Sequence, residues 1–367
     1  MPRSAKLEQQ YRSFLARFNL PRLTREVADR MLAEMRRGGR ESLESLWPGW
    51  SPERLIKTDK EAAPGMQFVI DQISEEIERS IVKSGLQLNL EFFAGEFPTG
   101  SFNAQACVVE DGTLLLVNTG LMVFLHKASK LITHSIEFSD FGDDGKPIFG
   151  TTEPTEPGAM THSEQIEAFA ELLLGYLSMR EDWIPRVRRI PLATGAKAML
   201  SAMVVHSCEK FVLAHEYGHA IAGHLTAPRT MVSKTPVGDV EFVCKSWSEE
   251  FEADLIAAML LVIETPRQIK TYQDLFTLQF ATVGPFFFFA LDELITRVAL
   301  EIKGLAGTSI ITDHPPSRQR MQAVREFYQR LGGPAMTEMG DAYAEFVGHL
   351  GDDVMEMIAH LLRREQC

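Results

Sequence analysis

The stretch Phe211-Val-Leu-Ala-His-Glu-Tyr-Gly-His-Ala-Ile-Ala-Gly-His224 decides how the chain is read. Inside it lies an H-E-x-x-H pattern, His215-Glu216-Tyr217-Gly218-His219. An α-helix turns once in about 3.6 residues, so positions four apart share a face. Two imidazoles on one face can grip a single metal ion. The Glu beside the first His can then take a proton from a water bound to that metal. Zinc lowers the pKa of such a water to about 7, which makes a hydroxide nucleophile available at neutral pH. Apolar residues flank the motif on both sides: Phe211, Val212, Leu213 and Ala214 before it, Ala220 and Ile221 after it. The helix is therefore expected to be buried, where two His and a Glu are costly unless paired or bound to metal. The bland alternative is an ordinary helix that happens to carry two histidines, since so short a pattern also arises by chance.

A third ligand has to come from elsewhere in the chain. His224 is nine residues from His215, roughly half a turn away around a continuous helix, so it is expected to face elsewhere and to be structural or to support a ligand. Glu250-Phe-Glu-Ala-Asp254 is the better source. Glu250 and Asp254 share a helix face at four-residue spacing, whereas Glu252 points away. Glu250 would complete a His2Glu set, the kind used by catalytic zinc with its fourth position open. Asp254 could accept the free ring N–H of a ligand histidine and so fix its tautomer. Glu249 is the rival ligand but lacks an Asp four residues on. The same residues also read as an acidic first turn favoured by the helix dipole, with Ser246-x-x-Glu249 as a capping box.

Taken together, His215-Glu216-x-x-His219, Glu250-Phe-Glu-Ala-Asp254 and Asp313-His314-Pro315-Pro316 with Arg320 resemble the gluzincin family of CAAX prenyl endopeptidases and HtpX-like proteases. Upstream, Phe102-Asn103-Ala104 followed by Gly112 to Leu121 is similar to the hairpin that precedes that family's active-site helix. The resemblance covers roughly residues 86–126 and 195–330. It implies one Zn2+ per chain on His215, His219 and Glu250, Glu216 as the base, and His314 with Arg320 near the oxyanion. The chain departs from the family in showing neither membrane helices nor a secretion signal, and in the long link between hairpin and H-E-x-x-H helix.

Composition fits this reading. The 367 residues are 45% hydrophobic and 24% charged, as in globular proteins, and the net charge of -13 argues against nucleic acid and anionic membranes as partners. The most apolar stretch, Leu275 to Leu300, is interrupted by Gly284-Pro285 and carries Asp292, Glu293 and Arg297, so it reads as buried core and not as a membrane span. Cys107, Cys208, Cys244 and Cys367 show no metal or redox spacing. Free thiols and the lack of an apolar N-terminal segment give a cytoplasmic expectation.

Along the chain, residues 1–85 read as an N-terminal helical region, with helices at 7–18, 23–35 and 66–82 around a turn-rich link at Trp47 to Pro52. Residues 86–331 form the expected metallopeptidase core. It begins with a strand pattern from Leu86 and a hairpin around Asp111-Gly112. The edge of that sheet could hold substrate as an added strand. Residues 127–194 read as an insertion, a Gly-, Pro- and Asp-rich loop over 137–162 followed by a helix over 163–179; its position suggests a lid over the cleft. Helices are then expected at 195–225, 246–263, 267–282, 286–303 and 317–331. Residues 332–367 form a C-terminal amphipathic helix or pair. The fold class is α+β, mainly α: a zincin (gluzincin) core with a small antiparallel sheet and added helices at both ends. The expected function is zinc-dependent endopeptidase action on a protein or peptide substrate, with room for a regulatory partner. A dedicated defence, toxin or regulatory protease with one protein substrate is an alternative, as is a non-catalytic, zinc-stabilised protein-binding module.

Overall fold

The computed structural model describes residues 5–17, 66–88, 90–135, 137–141, 147–150, 160–179, 184, 187–188, 190, 195–226, 229–235, 238–265, 270–303 and 314–365. The expected helix at 23–35, the Trp47–Pro52 link and Asp313 lie outside these residues.

Helix α1 (Ala5–Arg17) and helix α2 (Met66–Ser84) lead into strands β1 (Phe92–Phe97), β2 (Ala104–Val109) and β3 (Gly112–Asn118). Strands β2 and β3 form the hairpin expected around Asp111-Gly112, with Val109 opposite Gly112 and Ala106 opposite Leu115. The sheet is mixed, however, and not antiparallel throughout: its order is β1-β3-β2, and β1 runs parallel to β3. The connection 98–103 is the reason. A tight turn would have paired β1 directly with β2, but this longer crossing leaves the width of a strand between them, and β3 fills it. Being central, β3 is apolar on both faces. Leu115 and Val117 enter the main core, while Leu114 and Leu116 meet a smaller cluster built from Leu7, Tyr11 and Phe14 of α1 with Phe93 and Phe97.

Helix α3 (Thr119–Ser135) follows β3 directly. Strands β4 (Glu137–Phe141) and β5 (Pro147–Gly150) pair as an antiparallel hairpin within the stretch expected to be loop. Helix α4 (His162–Met179) comes next. Leu121, Phe124, Leu125, Ala128 and Leu131 of α3 and Ala168, Phe169, Leu172 and Leu173 of α4 are buried at helical spacing in the main core. The helices of the expected insertion are thus part of the packed body.

Helix α5 (Gly195–Ile221) carries the H-E-x-x-H motif through the middle of that body. A hairpin of β6 (Arg229–Thr235) and β7 (Gly238–Cys244) connects it to helix α6 (Trp247–Val262). Phe242 of β7 joins the smaller cluster, which ties this hairpin to the sheet.

The two helices expected over 267–303 are one, α7 (Tyr272–Ile302), which runs straight through Pro285. Proline has no N–H for the carbonyl of Ala281, four residues back. Ser207 of α5 supplies the missing donor: its Oγ donates to that carbonyl at 3.1 Å and accepts the Gly284 amide at 3.0 Å. Gly284 permits the close approach, since a Cβ there would lie 2.3 Å from the Ser207 carbonyl oxygen. By length and composition α7 is apolar enough to cross a membrane. Here its Val283, Phe286, Phe287, Phe289, Leu291 and Val298 are fully buried within the protein. Helices α8 (Ser317–Gly332) and α9 (Glu338–Glu365) complete the described chain. The whole is α+β and mainly helical.

Candidate metal centre

The centre forms where α5 crosses α6. Gly218 lies at the crossing, and a Cβ there would stand 2.8 Å from the Ala253 carbonyl oxygen. Ala214, Ala253 and Ala257 are fully buried around it, so small side chains let the two backbones approach. The start of α6 is fixed by the predicted capping box: the Ser246 hydroxyl accepts the Glu249 amide, and the Glu249 carboxylate accepts the Ser246 amide. Glu249 is thereby committed to the helix end. Glu250, one residue on, faces α5.

His215 Nε2 and His219 Nε2 lie 3.1 Å apart. Glu250 Oε2 is 3.5 Å from the first, and Glu250 Oε1 is 3.4 Å from the second. A tetrahedral ion with bonds of about 2.0–2.2 Å has donor–donor edges of about 3.3–3.6 Å, so this triangle is close in size to one face of a zinc tetrahedron. All three residues are buried, and His219 and Glu250 are fully so. Neither Glu250 oxygen accepts a hydrogen bond of proper geometry; the nitrogens around it stand at ion-pair distance. A buried carboxylate left in that state is costly. A cation between the three donors would satisfy it, and the donor set suits zinc.

The outer ring nitrogen of each histidine is engaged. His215 Nδ1 lies 2.9 Å from Asp254 Oδ1. A carboxylate only accepts, so the proton belongs on Nδ1 and the Nε2 lone pair faces the triangle. On the other side, His219 Nδ1 meets His224 Nδ1 at 2.9 Å, and His224 Nε2 lies 3.2 Å from Glu252. The same reasoning carries a donor from His224 to Glu252 and from His219 to His224, again leaving Nε2 of the ligand bare. His224 and Glu252 therefore support the site instead of facing away. The half-turn estimate assumed that the helix continues; α5 ends at Ile221, and Gly223, at φ +80, turns the chain back.

Arg320 turns to the acidic residues of α6 and stands 3.5 Å from Glu250 Oε2. Its Nε and one terminal nitrogen each donate to Asp254 at 2.7 Å, and its guanidinium caps the Phe289 ring at 4.9 Å. Its side chain is committed because a buried guanidinium needs a paired carboxylate. Arg320 holds Asp254, and Asp254 holds His215. His314 also comes to the site: its half-exposed ring places Nδ1 3.0 Å from Glu250 Oε2.

Sequence reasoning missed Lys245. Its Nζ donates to Glu216 Oε2 at 2.9 Å, and both side chains are almost entirely buried. Burial would raise the Glu216 carboxyl, but the Lys245 ammonium beside it outweighs this and holds it below the usual range. For Asp254 burial acts in the same sense and Arg320 outweighs it. Burial lowers His219 to about 3, helped by the nearby Lys245 charge, so this ring is neutral and can donate a lone pair. No family model, curated protein or solved structure matches the chain.

Proposed function

We propose that the chain is a zinc-dependent endopeptidase acting on a protein or peptide substrate, with zinc held by His215, His219 and Glu250. The observation that carries this reading is a buried His2Glu triangle of zinc dimensions with a further carboxylate, Glu216, beside it. A structural zinc is normally closed by four protein ligands and has no use for an adjacent base. Zinc bound here would supply the Lewis acidity that polarises a peptide carbonyl and activates a water.

The chain's own residues account for the rest. Glu216 takes the proton from the attacking water and passes it to the nitrogen of the departing amine. Asp254 and His224 hold the two ligand imidazoles in the tautomer that presents Nε2. Arg320 orients Asp254 through two parallel hydrogen bonds. His314 lies within reach of the site from the loop before α8 and can donate to a developing oxyanion.

The test is metal content by mass spectrometry, followed by turnover on a quenched peptide library. The wild type is expected to hold about one zinc per chain and Glu250→Ala little. Glu216→Gln should keep its zinc and lose at least about a hundredfold in turnover. A wild type without zinc after reconstitution, or Glu216→Gln cleaving at the native rate, would refute the reading.

A further inference from the structure

Lys245 is fixed from both sides. It directly follows Cys244, the last residue of β7, and directly precedes Ser246, the N-cap of α6. The hairpin register and the capping box therefore set its backbone without help from the ion pair. Its ammonium has three N–H donors. Among the described residues Glu216 is its one hydrogen-bond partner. It is buried beside the metal donors, close enough for its charge to act on His219. A buried ion pair adds little stability compared with a well-packed apolar pair of the same volume. Stability alone is thus a poor reason for a lysine at this place.

The cation that the resemblance put near the oxyanion has acidic residues of α6 as its partners. Arg320 donates twice to Asp254 and stands 3.5 Å from Glu250 Oε2. On the Glu216 side the cation present is Lys245. We infer that Lys245 is a further catalytic residue: it holds Glu216 in place with one N–H and donates its others to the oxygen of the carbonyl under attack. This rests on the metallopeptidase reading above. The lysine ammonium would place positive charge where negative charge develops, beside side chains that are themselves nearly buried.

The test uses cobalt(II)-loaded full-length protein titrated with acetohydroxamate and followed by visible d–d absorption. The probe chelates a metal through its N–O oxygen and its carbonyl oxygen, and the latter, carrying part of the negative charge, stands in for the carbonyl under attack. Lys245→Met is expected to take up cobalt like the wild type and to bind acetohydroxamate roughly tenfold to a hundredfold more weakly, the loss of one hydrogen bond to a charged group. Lys245→Arg should retain much of the affinity. Lys245→Met in a Glu216→Gln background removes both charges of the pair and so protects the fold. There it should still lose at least about tenfold against Glu216→Gln alone, which a lysine serving only to position Glu216 would not give. Unchanged affinity with normal cobalt uptake would overturn the role and leave a structural anchor. Tighter binding would overturn it too, because the lysine would then be covering the base. Failure of the wild type to bind cobalt would overturn the metallopeptidase reading itself, and this role with it.

Discussion

Replacing Arg320 with Met tests the support behind the site. The guanidinium makes two 2.7 Å hydrogen bonds to Asp254 and caps Phe289, all in the interior. Met retains most of the volume and removes the charge. Asp254 then stays buried with His215 as its partner. Breaking a buried pair by removing one member costs about 3–5 kcal/mol, since the other charge is left uncompensated. Unfolding entropy near 60 °C is roughly 2.1 cal/mol/K per residue, so for 367 residues this cost lowers Tm by about 4–6 °C. The assay is thermal unfolding in chelator, with Arg320→Met, Asp254→Leu and the double variant forming a cycle. Each single variant should fall by that amount. The double should recover most of it, because a matched apolar pair replaces the ion pair. Zinc affinity should drop about 10–100-fold in the two variants that carry Asp254→Leu, since His215 loses its orienting partner, and less in Arg320→Met, where Asp254 still meets His215. Single variants within about 1 °C of wild type, or strictly additive losses, would refute the argument that Arg320 acts through Asp254.

Three further outcomes follow from other parts of the fold. Glu76 of α2 is ion-paired to Lys210 at 3.0 Å and His206 at 3.1 Å of α5; burial opposes its ionisation, but these partners hold it at about 2. A depressed carboxyl stabilises above its unfolded value and stops doing so as pH falls through the folded one. Glu76→Gln should therefore cost about 3 kcal/mol at pH 7, and the gap to wild type in urea unfolding should close between about pH 4.5 and 2; a gap independent of pH would contradict it. Ser207→Ala should cost about 2 kcal/mol, and markedly less in a Pro285→Ala background, where a backbone N–H returns to the Ala281 carbonyl; equal costs in both backgrounds would count against the patch. Removing zinc with chelator should lower Tm without unfolding the chain, by the amount ligand linkage gives, since the core does not depend on the metal; collapse of the fold would point to a structural ion.

What was legible in the sequence was local. H-E-x-x-H and E-x-x-x-D are statements about one helix face, and the capping box spans four residues, so helical geometry alone brings the Nε2 atoms and the two carboxylates onto shared faces. Legibility ended where a partner from another element decided the outcome. Pro285 reads as a helix break because nothing nearby in sequence announces that Ser207, 78 residues earlier, fills its gap. The family resemblance put Arg320 near the oxyanion; which carboxylate it meets is set by the packing of α8 on α6. His224 had a usable signal in Gly223, whose positive φ ends the helix and turns the ring back onto His219. Lys245 had none, because its meaning lies in being caught between a hairpin and a helix cap.

The charges around the donors also bear on the choice between catalytic and structural use. Behind the triangle the arrangement is closed: Asp254 is paired with Arg320, and His224 with Glu252. Asp254 meets the His215 ring directly and Glu252 reaches the His219 ring through His224, and each strengthens that ring's lone pair as a donor. In front it is polar without being closed. Glu216 and Lys245 form a nearly buried pair, and His314 approaches Glu250 from a half-exposed position. A site built only to hold an ion has no need of a carboxylate and an ammonium kept nearly dry beside it, because desolvating them costs more than an apolar pair would. That cost is explained if both groups act on something that enters: one handles a proton and the other a negative oxygen, at the point where a peptide carbonyl would meet the metal.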